Sequence, residues 1–98
     1  VTNQNGRPRV LCVDDDLRTL DIVTRIVSRL PVECISTDQP RQALELARGQ
    51  APDLLVLDLM MPGITGWELL ARIRHEHPDT PMRVVIHADA RGDRQRQG

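Results

Sequence analysis

Short unbroken apolar runs alternate along this chain with stretches in which apolar residues recur every three or four positions. Val10-Leu11-Cys12-Val13 and Leu54-Leu55-Val56-Leu57 contain no polar residue, which is the pattern of strands buried on both faces. Met82-Arg83-Val84-Val85-Ile86 reads as a further strand, and Val32-Glu33-Cys34-Ile35-Ser36 as a less buried edge strand. Between the first two strands, Leu20, Val23, Ile26, Val27 and Leu30 mark one buried face of a helix over Leu17 to Leu30. Ala43, Leu44, Leu46 and Ala47 mark a shorter helix, and Leu69, Leu70 and Ile73 a third over Trp67 to His77. Pro31, Gly49 and Pro78 punctuate the helix ends, while Asp15 or Asp16 is placed to cap the first helix and Asp38-Gln39-Pro40 reads as the cap of the second, with Pro near its first turn. The resulting order, β-α-β-α-β-α-β, implies a parallel sheet with right-handed crossovers.

Both central strands end on carboxylates: Asp14, Asp15 and Asp16 after the first, and Asp58 after the third, just before Met60-Met61-Pro62-Gly63. A single Asp before a Pro-Gly turn is ordinarily a cap. The repetition changes that reading, because ligand sites of open α/β sheets lie outside the carboxyl ends of the strands. With the first and third strands as neighbours, Asp14, Asp15 and Asp58 share one mouth and repel one another. A hard divalent cation relieves the repulsion, and Mg²⁺ suits one or two carboxylates, a main-chain carbonyl and water. A cation beside an additional carboxylate also suits phosphoryl transfer, with Asp58 as the nucleophile.

Composition narrows the partners. At 98 residues a single domain over residues 1–98 is expected, with residues 1–8 as a loose arm and 89–98 as a polar tail. Thirteen basic and fourteen acidic residues leave a net charge of -1, which offers no footprint for nucleic acid or a membrane surface and points to protein partners. Trp67 is the only aromatic residue, so the core must be aliphatic. Cys12 and Cys34 lack metal or redox spacing and read as buried reduced thiols. No apolar run reaches the length of a membrane span and the first residues do not form a signal peptide, so a cytoplasmic location is expected. Arg91-Gly92-Asp93 spells an adhesion tripeptide, a chance match in this context.

The segments Val13-Asp14-Asp15-Asp16 and Leu57-Asp58-Leu59-Met60-Met61-Pro62-Gly63, followed by Gly66 at the start of a helix, resemble the receiver domain of two-component response regulators. The resemblance implies a flavodoxin-like sheet in the order 2-1-3-4-5, here incomplete because the family's last strand, its Lys and its last helix have no counterpart. By position it makes Asp58 the phospho-acceptor and Asp14, Asp15 and the Met60 main-chain carbonyl, with Asp58, the ligands of Mg²⁺. His87 stands where the family has Ser or Thr, and its imidazole is placed to donate to phosphate instead. The implied partner is a sensor histidine kinase or phosphotransfer protein, and the implied role is that of a signalling module, not an enzyme. The open sheet edge adds the expectation of a homodimer or swapped oligomer. Two alternatives stay beside this reading. One is a degenerate receiver working through protein contacts without phosphorylation; the other is a haloacid-dehalogenase-like phosphohydrolase, suggested by the Asp-x-Asp spacing of Asp14 and Asp16.

Overall fold

The computed structural model describes residues 6–61, 63–79 and 82–87. The arm before residue 6, Pro62, Thr80, Pro81 and the tail from residue 88 lie outside the described residues. Seven elements follow the predicted alternation: β1 (Arg9–Val13), α1 (Leu17–Val27), β2 (Glu33–Thr37), α2 (Pro40–Gln50), β3 (Leu54–Asp58), α3 (Gly66–Glu76) and β4 (Arg83–His87). All three strand pairings are parallel and the order is β2-β1-β3-β4, which puts the two uninterrupted apolar strands in the middle. This is the flavodoxin-like arrangement.

The two faces are covered unequally. Leu11, Val13, Leu55 and Leu57 point to one side and pack with Ala43 and Ala47 of α2 and Leu69 and Ile73 of α3. Val10, Cys12, Cys34, Leu54 and Val56 point to the other side, where Leu20, Val23 and Val27 of α1 lie against them. An ion pair from Arg48 Nη2 to Glu76 Oε1, 2.6 Å, ties α2 to α3 at the surface. It raises the Arg48 pKa and holds the Glu76 carboxyl below its usual range through the same hydrogen bond. No helix among the described residues is long and apolar enough to cross a membrane.

Several boundaries differ from the sequence expectation. α1 ends at Val27 instead of Leu30, and Ile26 and Leu30 are more than half exposed. The helix rests over β1 and β2 through positions 20, 23 and 27; an apolar stripe is wider than the line of contact, so Ile22 and Ile26 remain on its flank. Ser28 closes the helix by donating its hydroxyl to the Thr24 carbonyl at 2.6 Å, three residues before Pro31. Gln39 is the N-cap residue, its N–H donates to Thr37 Oγ1 at 3.1 Å, and Pro40 fills the first helical position. Gly49 lies inside α2, which stops only at the left-handed Ala51 (φ 47°) before Pro52. Trp67 is exposed on α3.

Cys12 is buried and Cys34 half-buried, with Sγ atoms 4.0 Å apart. Burial, and then Cys34, pushes the Cys12 thiol up to about 12. The folded chain therefore holds this proton more tightly than the unfolded chain, whose thiol titrates near ~8.5. The associated stability is full below that value and is lost as pH rises toward 12. The chain has no Tyr and no Lys, which narrows the side chains that titrate in this window. Melting temperature should decline as pH rises above about 9, and Cys12→Ala should flatten that decline while lowering stability at neutral pH; equal alkaline slopes in the two proteins would contradict the assignment.

Candidate functional site

The ends of three strands form one row. Val13 pairs with Leu57 and Asp58 pairs with His87, so Asp14, one residue past β1, stands level with Asp58 on β3 and His87 on β4. Neighbouring strands stand roughly 4.8 Å apart. Their side chains can therefore converge, and donor atoms of the three residues all lie within 4.8 Å of one another. Asp14 and Asp58 are almost wholly buried, at 1% and 0% exposure, whereas the His87 side chain is 27% exposed and forms the open side of the mouth. His87 Nε2 lies 3.6 Å from Asp14 Oδ2.

Each carboxylate is oriented by the turn that follows it. The Asp16 N–H donates to Asp14 Oδ1 at 2.9 Å and the Met60 N–H to Asp58 Oδ1 at 3.1 Å. Asp16 is the observed cap of α1, accepting from the Arg18 N–H at 3.1 Å, which separates its role from that of Asp14. The Leu59 N–H donates to the His87 carbonyl at 3.1 Å and locks the end of β3 to the end of β4.

α3 begins directly behind Asp58. The Gly66 N–H donates to the Leu59 carbonyl at 2.9 Å, and a Cβ at Gly66 would collide with the Asp58 carbonyl oxygen and come within 2.9 Å of Leu59 Cα. Thr65 and Glu68 form a reciprocal capping box that starts the helix at this point. Only glycine allows the helix to start so close to the strand that carries Asp58.

Asp14, Asp58 and His87 are thus brought together. Asp15 is half-buried next to Asp14 and does not belong to the convergent trio, and Met60 reaches the site through its N–H. Sequence reasoning directs His87 toward phosphate and does not foresee its approach to Asp14. The signal lies in the shared register of β3 and β4, which a strand pattern alone does not supply. The donor set fits a small divalent cation: two buried carboxylates repel at this range, and a cation between them offsets both charges.

A parallel sheet in this order, with an acidic mouth outside its carboxyl ends, defines a flavodoxin-like fold with a candidate cation site. The sequence matches the response regulator receiver domain over residues 10–97, and the chain belongs to that family. It is 33% identical over 86 residues to the response regulator MprA of Mycolicibacterium vanbaalenii, an alignment covering 88% of this chain and 37% of MprA. Among solved structures, the signal receiver domain of an HD domain-containing protein from Pseudomonas fluorescens Pf-5 matches with a TM-score of 0.75 and 27% identity, over 87% of this chain and 69% of that one. The chemotaxis protein CheY4 of Vibrio cholerae shares the fold, with a TM-score of 0.74 at 22% identity over 93% of this chain and 78% of that one. The chain spans 37% of the length of MprA and 17% of that of the DNA-binding transcriptional regulator NtrC of Escherichia coli, to which it is 31% identical over 81 residues. Receiver domains of two-component response regulators accept phosphoryl groups, generally bind Mg²⁺ at acidic residues, and interact with histidine kinases or phosphotransfer proteins. Membership in this family sets aside the phosphohydrolase reading.

Proposed function

We propose that this chain is the phospho-accepting receiver module of a two-component phosphorelay, with Asp58 taking the phosphoryl group from a sensor histidine kinase or a phosphotransfer protein. The observation that carries the reading is the position of Asp58, at the C-terminal end of a central strand and level with a second buried carboxylate. Asp58 attacks phosphorus through a carboxylate oxygen; the new O–P bond forms as the bond from phosphorus to the donor breaks, and the electron pair leaves with the donor. The Met60 N–H holds the carboxylate plane during the approach. Asp14, Asp15, Asp58 and the Met60 main-chain carbonyl would hold Mg²⁺, which would supply charge compensation for the phosphoryl oxygens. His87, at the position of the family's hydroxyl, is the chain's own donor toward that group.

With Mg²⁺ and a small phosphodonor such as acetyl phosphate, intact mass spectrometry should show one added phosphoryl group, and borohydride trapping should locate it at Asp58. Incorporation should be slow, because an imidazole, His87, stands in place of the family's hydroxyl. Label persisting in Asp58→Ala, or trapped on His87, would overturn the assignment.

A second reading accompanies the first. Ile22, Ile26 and Val85 are exposed, and Val85 pairs with Val56, which places it on the α1 side of the sheet. Among the described residues β4 lies at the edge of the sheet, and exposed apolar groups beside it favour self-association. Sedimentation equilibrium should show a dimer or larger assembly; a monomer persisting at high concentration would refute it.

A further inference from the structure

We infer that His87 turns the acidic mouth into a mixed nitrogen and carboxylate site that binds a first-row transition ion such as Zn²⁺ through Asp14, Asp58 and the His87 imidazole. The inference rests on the reading of this mouth as a cation site and adds an identity for the ion. Three observations support it. Donors at the ends of three neighbouring strands converge within 4.8 Å: Asp58 and His87 are paired in the β3–β4 register, and Asp14 is the residue immediately past β1. The 3.6 Å from His87 Nε2 to Asp14 Oδ2 is long for a hydrogen bond. Two ligands of one small ion, each bonded at about 2.0–2.2 Å, stand about 3–4 Å apart, and the observed separation falls in that range. The third observation is burial: both carboxylates are enclosed while the imidazole is partly exposed, so the donor set is sheltered and meets solvent at His87.

Ligand chemistry then sets the preference. Mg²⁺ takes oxygen ligands and gives up its water reluctantly, so an imidazole in place of a hydroxyl adds little to its binding. Imidazole nitrogen suits Zn²⁺, Ni²⁺ and Cu²⁺, and a nitrogen with two carboxylates is a familiar ligand mixture for such ions. An ordinary ion pair between His87 and Asp14 accounts for the contact but predicts no dependence on the ion.

Isothermal titration of the metal-stripped chain with Zn²⁺ and with Mg²⁺ tests the inference, on the natural sequence, His87→Thr and Asp58→Asn. Long-range proton–nitrogen NMR of the imidazoles accompanies the titrations, and circular dichroism checks folding. In His87→Thr, Zn²⁺ affinity should fall about tenfold or more, while Mg²⁺ affinity changes less than about threefold. The NMR should show Zn²⁺ shifting the His87 Nε2 resonance. Equal Zn²⁺ affinity in the natural chain and His87→Thr, or a Zn²⁺ shift confined to His75 or His77, would overturn the proposal even where Mg²⁺ binds at Asp58. Should Asp58→Asn leave both ions binding unchanged, the cation reading of the mouth fails with it. If His87→Thr does not fold, the His87 Nε2 shift in the natural chain decides alone.

Discussion

Replacing Asp58 with Asn should raise the melting temperature of the metal-free protein and make it indifferent to Mg²⁺. Asp14 and Asp58 are both buried, with donor atoms within 4.8 Å of one another. Two like charges at that range, with an effective dielectric constant of about 20, repel by roughly 3 kcal/mol. His87 beside Asp14 and the N–H groups of Asp16 and Met60 offset part of this. A net gain of about 1–2 kcal/mol remains, and a domain of this size shifts by roughly 4–8 °C for each kcal/mol. Asn keeps the shape and can still accept from the Met60 N–H, so the change isolates charge. A cation that binds only the folded state adds about 2.7 kcal/mol at a hundred times its dissociation constant, so saturating Mg²⁺ should bring the natural chain level with the variant. The same variant should take up no phosphoryl group. A variant that melts below the natural chain in EDTA, or that gains as much from Mg²⁺, would show that the two carboxylates do not oppose each other as described.

The parts of the structure legible in the sequence are those set by burial on both faces. β1 and β3 are readable because a strand inside a parallel sheet cannot tolerate a polar side chain on either side, and their ends carry Asp14 and Asp58 for the same reason: the apolar environment stops there. Periodicity likewise locates the three helices. It cannot say how wide a strip of α1 the sheet covers, so Ile26 and Leu30 carry the spacing of buried residues and are nonetheless exposed. Gly49 has the look of a helix stop because glycine commonly is one, but the Ala51-Pro52 step ends α2. His87 is visible as a departure from the family pattern. Its closeness to Asp14 depends on the β3 and β4 register, which links residues 29 apart in sequence (87 minus 58) and leaves no local trace.

Gly66 is legible as the opening of a helix but not as a point where helix and strand backbones meet closely, and its substitution carries the second large effect. In Gly66→Ala the new methyl group meets the Asp58 carbonyl oxygen and Leu59 Cα, which are backbone atoms at the end of β3 and cannot swing aside as a side chain does. Either α3 retreats, straining the capping box of Thr65 and Glu68 and the packing of Leu69 and Ile73, or the end of β3 moves and carries Asp58 with it. Overpacking of this kind costs about 3 kcal/mol at its upper end, a large share of the roughly 5–15 kcal/mol that holds a small domain together. The denaturation midpoint should fall with an unchanged slope, and phosphoryl incorporation should fall as well, although Gly66 touches no reacting group. Gly49→Ala supplies the control of opposite sign. Gly49 lies within α2, and a methyl group added there would meet nothing within 4 Å. Alanine at that position should therefore stabilise the chain by about 0.5–1 kcal/mol through helix propensity alone. Two Gly→Ala changes with the same sign, or a Gly66→Ala protein melting within about 2 °C of the natural chain, would show that α3 has room to move and does not hold Asp58 in place.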